Sequence, residues 1–460
     1  MTLSVFLVFH LLLAIAGLGV LHAMSFKGGS LAENLCWGFL AGFPVYSLLI
    51  FTLLVLGAPL SPPTAWLAVA VMLAPLIYSL IKNKPSIKLP ERLAAFGAGL
   101  NTVWRSAPMA AKVFAVVVAC ILLFKFALAG WFIFNTPPYF DDAMNNWNIR
   151  AKNIFYEGGL FLDRSRTDVS FLGGKFAHYP FLHVAYKSAL AAVLGGWHEG
   201  SLNAVHLLLP LAFALVFTCW AYRRSGSLFL SMLFPFMTVS IPLGFFHFIS
   251  SYSDFTVGVF SALSVICFAE WFDKDDHGSL CAAGLFLFGA AFAKNDGLVI
   301  VWGSTTAVAV IFAVAWKSWK LILPSIIAFA LLLPNTILRL IYNLPLNPLR
   351  DLDNLFFYRK GAASALWEAI FDYGHSGIFW FAVPVLLLFS MKQTFHNRSR
   401  VFIGSIILGM FGIIVFTFSF TGAASFSLNQ MTVNRTLMFF TLPLIVYLFL
   451  LSRQSTQNAD

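Results

Sequence analysis

Charge is what this sequence has least of. Only 10% of its 460 residues are Asp, Glu, Lys or Arg, against about 25% in soluble domains. That excludes an ordinary soluble globular chain. Acids are the scarcer sign, 19 against 29 Lys plus Arg, for a formal charge of +10. Cysteine is sparse too. Cys36, Cys120, Cys219, Cys267 and Cys281 all fall within apolar stretches, and no CxxC occurs. Neither a disulfide framework nor a cysteine zinc site is therefore indicated. Short alternating strands of the outer-membrane-barrel kind are missing. No stripe of interleaved aromatic and basic residues offers a surface to nucleic acid. No strong internal repeat is visible, which weighs against an inverted-repeat transporter.

What the chain does have is apolar length. It is 60% hydrophobic, and runs long enough to cross a bilayer recur from end to end. The expected fold class is all-α and polytopic, with about thirteen transmembrane helices. The spans fall near 3–24, 34–57, 63–82, 112–134, 201–222, 228–248, 254–271, 279–296, 298–316, 321–341, 377–391, 400–420 and 435–452. The first has no Lys or Arg before it and is longer than a signal-peptide core, so it reads as a retained helix.

The basic residues lie in connections, as membrane topology requires. Lys82, Lys84, Lys88, Arg92, Arg105 and Lys112, then Arg223 with Arg224, Lys317 with Lys320, and Lys392 with Arg398 and Arg400 fall on one face. That face is expected to be cytoplasmic, with the N-terminus outside. The loops 135–200 and 342–376 and the segment 421–434 are then extracytoplasmic. Two regions follow. Residues 1–110 hold three helices and a basic linker; residues 111–460 hold the remaining ten helices and every polar constellation.

Asp141 and Asp142 stand at the outer mouth of the fourth span, just after Pro137 and Pro138. Adjacent carboxylates repel and hold protons or cations. On a helix starting there, Met144, Trp147, Ala151, Ile154 and Phe155 share an apolar face, and Asp142, Asn145, Asn146 and Asn153 lie on another. Such a helix suits the membrane interface. One Asp would also serve as an N-cap. Further along, His178-Tyr179-Pro180 opens the apolar stretch 181–195, too short for a span and readable as a second interfacial or partly inserted helix. His178 reads either as a base or phosphate ligand or as a solvated loop residue.

More polar groups cluster at the outer ends of later spans. Asp254 follows Tyr252 and Ser253, with Ser253 or Asp254 placed to cap the helix. Lys294-Asn295-Asp296-Gly297 ends another span, where ionisable groups carry a functional expectation. Arg339 ends a third, and Arg435 opens the last. Cations there suit a phosphate; acids suit activation of a hydroxyl or a divalent metal. Lys125 lies mid-span without an evident partner in the sequence. Asp351 and Asp353 form a D-x-D of weak specificity.

These motifs, in this order, resemble the GT-C superfamily of integral-membrane glycosyltransferases. The likeness is to the bacterial group related to protein O-mannosyltransferases and lipid A aminoarabinose transferases. Asp141-Asp142 followed by Ala143 and Trp147 resembles that group's first-loop acid pair. Tyr179-Pro180, Asp254, Lys294-Asn295-Asp296-Gly297, and Arg435 before Leu442-Pro443 resemble its later elements. The likeness covers about residues 111–452. The chain departs from the family in placing the pair after the fourth span rather than the first, and in having Asp-Asp where relatives often have Asp-Glu.

The resemblance implies a GT-C-like core with amphipathic helices in the first large outer loop. It implies a polyprenyl-phosphate sugar as donor, and a glycan, lipid or protein as acceptor. The active site would face outward from a bacterial inner membrane. Asp141 or Asp142 is then the expected base. Asp254, His178 and Tyr179 are expected on the acceptor side, and Lys294, Arg435 and Arg339 at the donor phosphate. A divalent cation, Mg²⁺ or Mn²⁺, could join Asp141, Asp142 and Asp254. The lipid bilayer is a partner; nucleic acid is not. Competing expectations are a transporter or flippase of lipid-linked glycans, a glycan ligase or polymerase using Arg350, Arg359, His375 and Arg435, and a non-catalytic scaffold of the same fold.

Overall fold

A computed structural model describes residues 2–26, 28–83, 99, 101–138, 140–163, 165, 171–174, 176–344, 357–372, 377, 379–394, 397–428 and 432–457. Asp351, Asp353, Arg350 and His375 lie outside the described residues. So does most of the basic stretch after Lys82. Among the described residues every regular element is helical, and the sole strand-like pairing is an isolated bridge between Phe161 and Phe171.

Each of the thirteen expected spans coincides with helix. Among the described residues nine helices are long and apolar enough to cross a membrane, and a tenth crossing results if one broken pair is counted. The other three are shorter apolar helices, Pro62–Tyr78, His277–Ala293 and Phe379–Leu388. The broken pair is the expected 228–248 span, which splits into Leu228–Ser240 and Pro242–Ser250. Pro242 explains the split, because proline lacks an N–H and excludes the preceding residue from helix.

The chain forms two compact units: residues 1–177, 181–239 and 248–251, and residues 178–180, 240–247 and 252–460. By contacts, residues on both sides of 110 belong to the same compact unit.

The first unit contains α1 (Thr2–Ala23), α2 (Leu31–Val55), α3 (Pro62–Asn83), α4 (Met109–Asn135), α5 (Ile149–Glu157), α6 (Leu182–Leu194), α7 (Glu199–Asn203), α8 (Val205–Ser225) and α9 (Leu228–Ser240). Ser30 caps α2 by accepting from the Glu33 amide, and Gly158, Gly195 and Gly226 end α5, α6 and α8 in the left-handed conformation. Both are ordinary helix punctuation. α1 and α2 pack backbone to backbone. A Cβ on Gly38 would sit 2.1 Å from the Ala14 carbonyl oxygen, so only glycine fits. α4 is the opposite case: only 17% of its apolar window is buried, so its apolar surface is left for lipid. The 181–195 stretch is α6, a 13-residue helix. It is buried through Ala192 on every side.

The second unit contains α10 (Pro242–Ser250), of which residues 242–247 belong here, and α11 (Asp254–Lys274). It continues with α12 (His277–Ala293), α13 (Ser304–Ala315), α14 (Leu323–Ile341), α15 (Ala362–Trp367), α16 (Phe379–Thr394), α17 (Arg398–Phe420), α18 (Ala424–Leu428) and α19 (Val433–Gln457). α11 is its core, with 94% of its apolar window buried. A helix apolar all round has to be enclosed. Asp276 caps α12 through the amides of Gly278 and Ser279. α12 and a π-helical turn at Gly297–Gly303 are separated by Lys294, whose backbone is extended. Gly297 is required there: a Cβ would meet the Ala290 carbonyl oxygen at 2.2 Å.

These close approaches set expected stabilities. Gly38→Val and Gly297→Ala should each lower thermal stability in detergent, by about 1–3 kcal/mol. Gly412→Ala, with nothing within 4 Å of the added Cβ, should be neutral or stabilising by up to about 1 kcal/mol. Equal melting temperatures for all three variants and the parent would contradict the packing.

Candidate active site

The acid pair belongs to the first unit. Asp141 is exposed and Asp142 half-buried, and both open the helix that continues through a π-helical turn, Ala143–Asn148, into α5. The capping role expected for one Asp is not what Asp142 does. Its backbone is already helical and its side chain makes no cap hydrogen bond. Asn145 donates to the Asp141 carboxylate one turn on. The π turn also rotates the helix face. Trp147, Ala151 and Ile154 are buried as expected, but Met144 is 43% exposed and Asn146 is buried. A wider i→i+5 turn inserts one residue into the 3.6-residue period, which shifts the buried stripe.

Two buried cations hold this helix. Lys187 of α6 is fully buried, and its Nζ donates to Asn148 Oδ1 at 2.8 Å and to Asn203 Oδ1 at 2.7 Å. Asn148 Nδ2 in turn donates to Glu199 Oε1 at 3.1 Å. α6 is too short to be a span, and burial pushes Lys187 down to about 7, against the pull of Glu199. Arg150 is also fully buried and lies 4.4 Å from the centre of the Phe181 ring. The sequence reading passed over both cations. The signal was available in Lys187, a lysine in the middle of an apolar stretch.

The second unit brings together Asp254, Lys294 and Arg435. Asp254 is completely buried at the start of α11. Lys294 Nζ reaches its Oδ1 at 2.6 Å, and Arg435 Nη2 and Nε reach its Oδ2 at 2.8 and 3.3 Å. Both oxygens of one carboxylate are thus engaged by two cations from chain positions 40 and 181 residues away. Ser253, at the N-cap position, makes no side-chain cap bond. Arg435 also covers the Tyr252 ring at 4.3 Å, a favourable cation–π contact. Asp296 adds a second carboxylate to Lys294 at 3.3 Å.

The intervening Asn295 is a bridge. It accepts from Arg339 Nη1 at 2.7 Å and donates to the His178 carbonyl at 3.1 Å. The tripeptide after α12 therefore ties Asp254, Arg339 and His178 to one another. The imidazole of His178 lies against the Tyr179 ring at a tilt of 42°, with centroids 4.6 Å apart. Beside the tripeptide is a cavity of ≈ 440 Å³ lined by Pro180, Asn295, Leu332, Asn335, Arg339 and Leu344, among others. Its walls are mainly apolar, with one cation and a few amide or hydroxyl groups, as in ligand pockets generally.

His247 is a further group that the sequence reading missed, absorbed there into a span. It is almost wholly buried, neither ring nitrogen has a hydrogen-bond partner, and it lies in the electrostatic field of Asp254, Arg435 and Lys294. Asp254, as placed, does not suit a metal ligand, because two cations already occupy its oxygens. Among the described residues no three His, Cys, Asp or Glu side chains gather as a metal-binding group.

No family model matches the chain, and no curated protein matches it by sequence. Among solved structures it is similar to the crystal structure of ArnT from Cupriavidus metallidurans in the apo state, a GT-C protein. Identity is 14% and the TM-score 0.50, over 76% of this chain and 61% of that one. The chain has a membrane fold similar to that of ArnT. It spans about three-fifths of the ArnT chain's length, and at this identity the likeness speaks for architecture alone.

The ion cluster has a measurable consequence. Asp254→Asn removes the carboxylate shared by Arg435 and Lys294, leaving Lys294 with Asp296 alone, and should destabilise the protein by about 3–5 kcal/mol. Asp254→Leu with Lys294→Met should lose less than the sum of the two single changes. Chemical denaturation in detergent measures both, and strict additivity would show that the pair is not coupled.

Proposed function

We propose that the protein is a membrane glycosyltransferase that moves a sugar from a polyprenyl-phosphate donor to a glycan, lipid or protein acceptor at the extracytoplasmic face. The observation that carries this reading is the apolar cavity of ≈ 440 Å³ with Arg339 in its wall, held by Asn295, in a chain of ArnT-like fold. A prenyl chain suits the apolar lining. A phosphate suits the guanidinium.

In this reading an acceptor hydroxyl oxygen attacks the anomeric carbon. The bond from that carbon to the phosphate oxygen breaks, and the electron pair leaves with the phosphate. Asp141 or Asp142 takes the hydroxyl proton. Asn145, bonded to Asp141, would orient that carboxylate. A single displacement inverts the anomeric centre; a retaining route needs a carboxylate placed to attack the sugar. Arg339 stabilises the departing charge directly. Lys294 and Arg435, already on Asp254, contribute a positive field. Asp254 anchors these two cations. His178 and Tyr179 remain the proposed acceptor-side groups, and no step is routed through a divalent cation.

A flippase of lipid-linked glycans is the second reading. The backbone break at Lys294 favours it, since transporters use broken helices around their sites. The two readings separate in one assay, in which purified protein is given polyprenyl-phosphate sugars and released polyprenyl phosphate is counted. Asp141→Asn or Asp142→Asn should lower release at least about 100-fold while the melting temperature holds. Arg339→Gln should raise KM about tenfold or more. Full activity in both Asn variants and in the double variant would sink the catalytic assignment. Movement of intact donor across vesicles without release would favour the flippase.

A further inference from the structure

One polar side chain in the cavity beside Asn295 has no part in holding the phosphate. Asn335 lies within α14, directly after Pro334. It is 6% exposed and lines the cavity. Its amide makes no hydrogen bond among the described residues, and neither of its polar atoms is sealed off inside the protein. Both amide atoms therefore open onto the cavity. Buried amides nearly always have a partner in the fold. Asn148 and Asn203 hold Lys187, and Asn295 joins Arg339 to the His178 carbonyl. Thr336, the next residue along, returns its hydroxyl to the Leu332 carbonyl of its own helix. Asn335 does none of these things.

Helix geometry places this amide relative to Arg339. Residues four apart on an α-helix share a face, and both side chains line the same cavity. The rise between them is about 6 Å along the axis. Asn343, exposed just past the end of α14, also lines the cavity and marks its open end. Asn335 is the enclosed end of this polar row. Leu298, Leu332 and Leu344 make up apolar parts of the wall. A few polar groups set in an apolar pocket fix the orientation of a ligand.

The chemistry of a primary amide narrows what Asn335 meets. It presents a donor and an acceptor side by side. A phosphate oxygen only accepts, so it would leave the amide oxygen facing another oxygen. An ammonium only donates, and it would lie one turn from a guanidinium. A prenyl chain offers neither. Two neighbouring hydroxyls match the amide, one donating to Oδ1 and the other accepting from Nδ2. We propose that Asn335 binds a pair of adjacent hydroxyls on the donor's sugar, with the phosphate one helical turn away at Arg339. This rests on the polyprenyl-phosphate donor proposed above. It adds that the sugar is read through neutral hydroxyls, at the enclosed part of the cavity. Water can meet the same amide; the two cases differ in whether a sugar gains affinity from it.

The test measures binding rather than turnover, on the full-length protein in detergent, by native mass spectrometry. The probes are a short-chain polyprenyl phosphate and the same lipid carrying mannose, glucose or galactose. At least one glycolipid should bind about tenfold more tightly than the bare phosphate, the value of one or two hydrogen bonds. Asn335→Leu, which removes both hydrogen-bonding atoms, should bring that glycolipid down to the level of the bare lipid. It should leave the bare lipid within about twofold of the parent. Arg339→Gln should weaken both alike. Asn335→Leu should also melt no lower than the parent, because its amide bonds to nothing in the fold. Binding of the bare lipid with no gain from any sugar would overturn the proposal and leave the phosphate site standing. So would a preference that survives in Asn335→Leu, or a marked fall in that variant's melting temperature. If the parent binds neither the bare lipid nor any glycolipid, the donor reading falls, and this proposal with it.

Discussion

One buried carboxylate organises the second unit. Asp254 has no contact with solvent, yet both its oxygens are satisfied, by Lys294 on one side and Arg435 on the other. Isolated, each of these charges would be expelled from an apolar interior. Together they pin the start of α11, the break after α12 and the start of α19 to one point. The break itself depends on that point. Lys294 can leave the helical conformation because its side chain has a partner and because Gly297 lets the chain pass close to Ala290. Asn295 and Asp296 then extend the arrangement to Arg339 and back to Lys294.

The first unit solves the same problem with amides. Lys187 is held by the side-chain oxygens of Asn148 and Asn203, with Glu199 one hydrogen bond away. Arg150 is covered by the Phe181 ring. These contacts fix the π turn that follows Asp141 and Asp142. Asp141 is exposed and accepts a hydrogen bond from Asn145, and Asp142 is half-buried.

Span positions were legible in the sequence because apolar length is read residue by residue. The thirteen expected stretches all returned as helix, but the break before Pro242 was not legible, because Pro44, Pro210 and Pro443 sit inside helices that stay whole. The face of the acid helix was only partly legible. A 3.6-residue period placed Trp147, Ala151 and Ile154 correctly, but no residue pattern announced the π turn that exposes Met144 and buries Asn146. Lys294 and Arg435 were recognised as candidate phosphate ligands. Their engagement with Asp254 was hidden, because they lie 40 and 181 residues from it in the chain. His247 was hidden for another reason: one imidazole inside an apolar run looks no different from its neighbours until its surroundings are known.

By itself, then, the sequence determined the class, the spans and the residues able to carry chemistry. Hydrophobic length and local charge are properties of short segments, and short segments suffice to read them. Tertiary structure alone decided which charges pair, which cations remain in a cavity wall and which helices are enclosed. Those outcomes depend on distances of a few ångströms between residues far apart in the chain. A carboxylate such as Asp254 reads the same in sequence whether it faces water or two cations; only the fold decides between them.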